Sequence, residues 1–251
     1  MRQQGFVLIF VLLTIVSLAG MLALLRLEAF REARLSRTPV VERTLRLSLP
    51  GLAAWCRIRA LSAEEETEER EKTETPEVEC DLKDFKVRAV FSSEGKRLNL
   101  NKASREDLLN FFEEEGFSPE RAEVMAESLL DWIDGDNEHR PSGAEEDFYA
   151  PRGYQPRNGP LARLDEVVLV RGFDPYVFWI EPGLYREVTI YAAEDKEEKE
   201  PLSLRTPGVY RQEMEISFRG LKWHYLEVFE AQGANRFQVL YRRLLPDGDE
   251  S

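Results

Sequence analysis

Seven carboxylates crowd into the 17 residues from Asp131 to Asp147: Asp131, Asp134, Asp136, Glu138, Glu145, Glu146 and Asp147. Carboxylate oxygens are hard donors, and a dense set of them on a loop suits Ca²⁺, which takes about six to eight oxygen ligands. Counted from Asp134, the acids Asp134, Asp136, Glu138 and Glu145 fall at positions 1, 3, 5 and 12, the spacing of an EF-hand loop. The sixth position, where that loop needs Gly, is His139, and Pro141 stands at the eighth. The segment is therefore not an EF-hand. It is still a turn rich in oxygen donors. The residues alone leave two readings open, a cation site or an exposed acidic loop closing Asp-Gly turns.

Other chemistry finds little support. The two histidines, His139 and His224, sit in unrelated contexts, and no Ser/His/Asp or Cys/His set can be assembled, so no enzyme is expected. The formal net charge of −13 would repel phosphates and argues against general nucleic-acid binding. Cys56 and Cys80 are too few for a disulfide scaffold and too far apart for a CxxC motif. In an oxidising compartment they could form one bridge, closing a loop of about 25 residues and contributing roughly 3 kcal/mol. Two free buried thiols are the alternative.

Two helices must position the acidic loop. Ser104 is a candidate N-cap with Asp107 three residues on, ahead of Leu108, Leu109, Phe111 and Phe112, and Gly116 ends that helix. Ser118-Pro119 starts the second, whose Ala122, Met125, Ala126, Leu129, Leu130 and Ile133 share one face. Gly135 stops it at the edge of the acidic cluster. A shorter helical segment is expected over 161–170.

Around these helices the pattern switches to period two. Phe85 to Phe91 alternates as a strand, and Ser92 to Gly95 is read as the turn after it. Tyr185 to Ala192, Val209 to Arg219, Leu221 to Ala231 and Arg236 to Leu245 read as strands, the last three as a meander. Glu64 to Glu79 is acidic, Thr-rich and poor in large apolar residues, so it reads as a loop. Glu194 to Glu200 reads as a solvated charge run. The helix over 40–61 is expected to break at Pro50-Gly51.

At the N-terminus, Phe6 to Leu25 is a run of 20 residues without a charge, about 30 Å as a helix and long enough to span a bilayer core. It flows into Arg26 and onward with no Gly or Pro until Pro39, so the helix is expected to leave the membrane and continue. Four arginines follow the span and only Arg2 precedes it, a bias that would put the rest of the chain in the cytoplasm. Against that bias, Gly5-Phe6 behind a short basic leader resembles a type IV prepilin cleavage site. The resemblance implies removal of residues 1–5, methylation of Phe6 and a C-terminal portion outside the inner membrane. Most pilins carry Glu where this chain has Phe10, and absence of that Glu is a habit of the K-type minor pseudopilins.

Leu98-Asn99-Leu100-Asn101-Lys102-Ala103-Ser104 with Gly116 to Ala122 resembles a helix-hairpin-helix element, which in some competence proteins binds DNA backbone. Here Glu113-Glu114-Glu115, Glu120 and Glu123 flank the hairpin at Gly116, and Arg121 is the only basic residue close to that hairpin. A packing unit is the better reading.

Leu129-Leu130-Asp131-Trp132-Ile133-Asp134-Gly135-Asp136, Arg140-Pro141-Ser142-Gly143-Ala144-Glu145-Glu146 and Tyr149 resemble the core of the K-type minor pseudopilins of type II secretion. Arg157-Asn158-Gly159-Pro160-Leu161, Leu164-Asp165-Glu166-Val167 and Val170-Arg171-Gly172 extend the resemblance. It implies an α+β fold: an N-terminal transmembrane pilin helix, a small antiparallel β-sheet and an inserted helical SAM-like domain. It also implies Ca²⁺ held by Asp131, Asp134, Asp136, Glu145 and Glu146, although the family usually has Asp where Glu146 stands.

The expected layout is a leader over 1–5, the pilin helix over 6–60 and an acidic linker over 61–79. First strands follow over 80–100, the inserted helical domain over 101–182 and a C-terminal sheet over 183–251. By the same resemblance the chain would cap the type II secretion pseudopilus and help start its assembly. Its partners would be the I- and J-type minor pseudopilins, the inner-membrane secretion platform and the prepilin peptidase. It would be a single-pass inner-membrane protein with its soluble domain in the periplasm. A minor pilin of a type IV pilus or DNA-uptake system is the alternative.

Overall fold

The computed structural model describes residues 20–22, 26, 40–64, 77–82, 84–191, 202–233 and 236–245. Gly5, Phe6 and nearly all of the apolar run 6–25 lie outside them, as does the charge run 194–200. Among the described residues no helix is long and apolar enough to cross a membrane. The chain divides into two units, Met1–Leu52 and Ala53–Ser251.

Residues 40–64 form one helix, α1, that runs through the division between the units. The expected break at Pro50-Gly51 is absent. Both residues are exposed, so water can meet the carbonyl that proline leaves without an amide partner.

The second unit carries a five-stranded antiparallel sheet of β1 (Glu77–Leu82), β2 (Phe85–Ser93), β5 (Gly208–Phe218), β6 (Leu221–Ala231) and β7 (Phe237–Leu245), in the order β1-β2-β5-β6-β7. The meander read from the sequence is β5-β6-β7. Glu77–Glu79, expected in the acidic loop, belong instead to β1, because Val78 is buried against the sheet while Glu77 pairs with Arg88 across the strands. The turn expected after β2 tightens into a 3₁₀ turn over Glu94–Lys96. Tyr185 to Ala192, expected as one strand, is a 3₁₀ turn at Leu184–Arg186 followed by the short β4 (Val188–Thr189). β4 pairs in parallel with β3 (Leu98–Asn99).

Between β2 and β5 the chain leaves the sheet to build a helical lobe. It contains α2 (Arg105–Glu114), α3 (Pro119–Ile133), α4 (Glu146–Tyr149) and α5 (Pro175–Trp179). The helix expected over 161–170 is a 3₁₀ segment, Leu164–Leu169. Ser104 caps α2 in a reciprocal capping box with Asp107, and Ser118 caps α3 with Pro119 at its first turn. Leu108, Phe112, Met125, Leu129 and Trp132 are buried in one cluster with Leu226, Val228, Tyr241 and Leu245 of the sheet.

Period-two alternation assigns the sheet's two faces. Leu226 and Val228 face the helical lobe, whereas Glu227 between them accepts a hydrogen bond from Arg57 of α1. Neighbours on β5 divide the same way. Arg211 donates to the carbonyls of Tyr185 and Val188 on the lobe side, and Gln212 donates to the carbonyl of Ala53 on the α1 side.

The Asn-Leu-Asn element is spent on packing. Asn101 Nδ2 donates to the carbonyls of Leu161 and Ile190, its Oδ1 accepts from Leu161 N at 2.7 Å, and Asn99 Nδ2 donates to the Tyr191 carbonyl. Both amides thus tie the start of the lobe to its return strand.

Candidate metal centre

The acidic loop begins where α3 ends. Asp134 is the C-cap residue of α3, its backbone N–H still bonded to the Leu130 carbonyl. The loop then crosses back over the buried end of the helix, and Glu145 closes it at the N-terminus of α4. Asp134, Asp136 and Glu145 each bring a carboxylate oxygen within 4.8 Å of the others. Positions 1, 3 and 12 of the loop therefore meet, even though His139 and Pro141 exclude an EF-hand. Glu138, at position 5, is exposed and outside this group.

The three carboxylates differ in what already satisfies them. Asp136 Oδ1 accepts from Glu138 N at 2.9 Å, and Asp134 Oδ2 accepts from Arg140 Nη1 at 2.7 Å. Asp134 Oδ1 is buried without a hydrogen-bond partner. Glu145 is 2% exposed, and both of its carboxylate oxygens lack a partner. Buried carboxylates are ordinarily hydrogen-bonded, and leaving one unmet costs a few kcal/mol. Burial pushes the Glu145 carboxyl up to about 7, and the charges of Asp131, Asp134 and Asp136 add to the shift. A divalent cation among these oxygens would satisfy the orphaned donors and offset the like-charge repulsion at once. The donor set, all oxygen, fits Ca²⁺.

The other two residues expected as ligands sit differently. Asp131 is wholly buried and is engaged by Arg140, whose Nη1 reaches Asp131 Oδ1 and whose backbone N–H donates to Oδ2 at 3.1 Å. Burial raises its carboxyl against the pull of Arg140. Glu146 is exposed and accepts from Gln155 Nε2 at 2.8 Å. Neither belongs to the trio.

Several residues that build the site lie outside the acidic cluster. Glu127, 3% exposed on α3, accepts from Ser142 N at 2.8 Å and from Arg105 Nε at 2.9 Å, pinning the loop's far half. Arg171 Nη1 donates to the Gly143 carbonyl at 2.8 Å. Asn158 Nδ2 donates to the Asp136 carbonyl and to Asn137 Oδ1, both at 3.2 Å. Arg140 and Asn158 lie in motifs quoted above, so the resemblance marks their positions. Nothing in their residue types announces what they hold.

Cys56 on α1 and Cys80 on β1 are free thiols. The Cys56 thiol donates to the Cys80 sulfur, and burial, then Cys80, push it up to about 12.

Residues 85–179 match the family model described as type II secretion system protein K. A search of curated proteins gave no match. Among solved structures, a chain of the GspK-GspI-GspJ complex from the enterotoxigenic Escherichia coli type 2 secretion system shares the fold with a TM-score of 0.59 at 16% identity. The match covers 82% of this chain and 98% of that one. The family match takes in α2, α3 and the whole acidic loop. Over Phe85–Trp179 this chain is similar to protein K of the type II secretion system.

Proposed function

We propose that the chain is a minor pseudopilin that caps the type II secretion pseudopilus and helps start its assembly with the I- and J-type subunits, rather than an enzyme. The observation that carries this reading is the protein K match over residues 85–179, supported by the shared fold with a chain from a complex of GspK, GspI and GspJ. In this reading the apolar run Phe6–Leu25 is a single inner-membrane span. The prepilin peptidase cuts between Gly5 and Phe6, Phe6 is methylated, and the lobe and sheet lie in the periplasm beside the secretion platform. A bulky lobe inserted between β2 and β5 would obstruct stacking of further subunits above it, as a tip position requires. Ca²⁺ would be held by Asp134, Asp136 and Glu145. The two orphaned oxygens of buried Glu145 are the support for that part.

Co-expression with I- and J-type partners tests the assembly. A stable three-subunit complex on size exclusion is the expected outcome, and a chain that elutes alone at every concentration would sink the reading. N-terminal sequencing of the mature protein is expected to begin at methylated Phe6. An intact Met1 would count against the leader.

A further inference from the structure

We propose that Arg140 is the positioning residue of the cation site: its guanidinium confines Asp134 to coordination through Oδ1 and keeps Asp131 out of the ligand set. The inference rests on the calcium reading above. An acidic cluster alone would not carry it. The independent observation is Glu145, 2% exposed, with both oxygens unpartnered beside the orphaned Asp134 Oδ1.

Arg140 sits at the centre of the loop's bonding. Nη1 bonds Asp131 Oδ1 and, at 2.7 Å, Asp134 Oδ2, while its backbone carbonyl accepts from Gly143 N at 3.0 Å. Its N–H holds Asp131 Oδ2 at 3.1 Å. Both carboxylates at the end of α3 are thereby tied to one cationic group. A carboxylate oxygen bonded to a guanidinium has one lone pair and part of its charge already committed, so a metal takes the other, open oxygen in preference. Asp134 is held to single-oxygen coordination, and Asp131 already has its counter-charge.

Glu145 then remains as the residue with two open oxygens. Two-oxygen coordination by one carboxylate suits the roughly 2.3–2.6 Å bonds and loose geometry of Ca²⁺. Mg²⁺ demands shorter bonds, about 2.0–2.1 Å, in near-octahedral array. The division of roles set by Arg140 therefore favours the larger ion. Without it Asp134 is free to turn and Asp131 becomes a competing carboxylate, so the site loses both affinity and discrimination.

The contacts also predict which substitution is tolerated. Both side-chain contacts pass through the single nitrogen Nη1, so an ammonium group can replace them. Calcium and magnesium titrations of the full-length chain in detergent, stripped with chelator and followed by calorimetry, provide the test. Arg140→Gln is expected to weaken calcium binding at least about tenfold, equivalent to about 1.4 kcal/mol, and to narrow the calcium-over-magnesium ratio. Arg140→Lys should return calcium affinity to within about threefold of wild type. If Arg140→Gln does not fold, the double variant Asp131→Asn/Arg140→Gln removes the buried charge together with its partner and should still bind calcium more weakly than wild type, through the freed Asp134 alone. Wild-type protein that ignores millimolar calcium would overturn the calcium reading and this inference together. Wild-type binding with Arg140→Gln, or the double variant, equal or tighter would overturn the inference alone. So would Arg140→Lys binding as weakly as Arg140→Gln.

Discussion

Among the described residues, buried carboxylates occur on the sheet side and around the acidic loop, and Glu145 of the loop is treated in the opposite way to those of the sheet. On the sheet side, Glu94 in the turn after β2 is fully buried, and both its oxygens accept from Arg211 of β5, at 2.5 and 3.2 Å. Glu227, also fully buried, takes Arg57 on one oxygen and Tyr225 and Arg242 on the other, at 2.8 and 2.7 Å. In the acidic loop, Glu145 is as well buried and has no partner on either oxygen. A buried charge is tolerated when its hydrogen bonds close and is costly when they stay open. The sheet is therefore complete with its own residues. The loop is not, and a cation from outside is the natural completion. One set of acids holds lobe, sheet and α1 together, while in the other the Glu145 oxygens stay open.

The largest effect should come from breaking the sheet side. Arg211→Met leaves buried Glu94 without its hydrogen-bonded partner and with only the more distant Arg97, at 3.9 Å, and is expected to cost about 3–5 kcal/mol in urea denaturation. It also removes the donors to the Tyr185 and Val188 carbonyls, so the lobe should loosen from the sheet. Replacing both members, Glu94→Leu with Arg211→Met, should recover much of the loss, since no unpaired charge remains. A single variant that loses less than about 1 kcal/mol would refute the claim that these pairs hold the fold.

On the loop side the same kind of change should have the opposite sign. Glu145 titrates near 7 in the fold against 4.5 ordinarily. Between those values the folded chain keeps a proton that the unfolded chain has released. The calcium-free protein should therefore lose stability as pH rises through that window, by about 3 kcal/mol in full. Glu145→Gln removes this fall: with EGTA present it should match wild type at low pH and exceed it near pH 8. Identical pH profiles for the two proteins would break the comparison. Calcium should reverse the ranking, stabilising wild type and leaving the variant unchanged.

How much of this was legible from residues depends on which interactions carry it. Period-two alternation gave the β5-β6-β7 meander, and Ser104 and Ser118-Pro119 marked the starts of α2 and α3, because these are local signals. The EF-hand-like spacing picked out Asp134, Asp136, Glu138 and Glu145, of which all but Glu138 come together. Three things were not legible. β1 is acidic and polar on its exposed side, so Glu77–Glu79 resembled a loop until Arg88 and the buried Val78 explained them. Pro50-Gly51 looked like a break, yet the exposed face of α1 accommodates both. Asp131 was offered as a ligand by the family resemblance. Its part in the site is decided by Arg140, nine residues away, and pairing across a folded loop leaves no periodic trace.

The smallest effect tests how tightly the loop is shaped, using its two glycines against each other. A Cβ built on Gly143 would stand 1.9 Å from Asp131 Oδ2 and 3.2 Å from Arg140 N. Asp131 cannot swing away, because its short side chain is buried and bonded to Arg140 on both oxygens. Gly143→Ala must shift the backbone between Arg140 and Glu145, at a cost of about 1–3 kcal/mol. Gly135 lies in the same loop, and a Cβ there meets nothing within 4 Å. Gly135→Ala should therefore change stability by no more than about 0.5 kcal/mol in either direction. Thermal melts of the two variants without calcium separate the possibilities. Equal losses would mean that the loop yields wherever it is pressed, and then Glu145 is not held open in a fixed cradle. A loss confined to Gly143→Ala would locate the rigidity in the Asp131–Arg140 pair, so that the loop keeps its shape before any cation arrives.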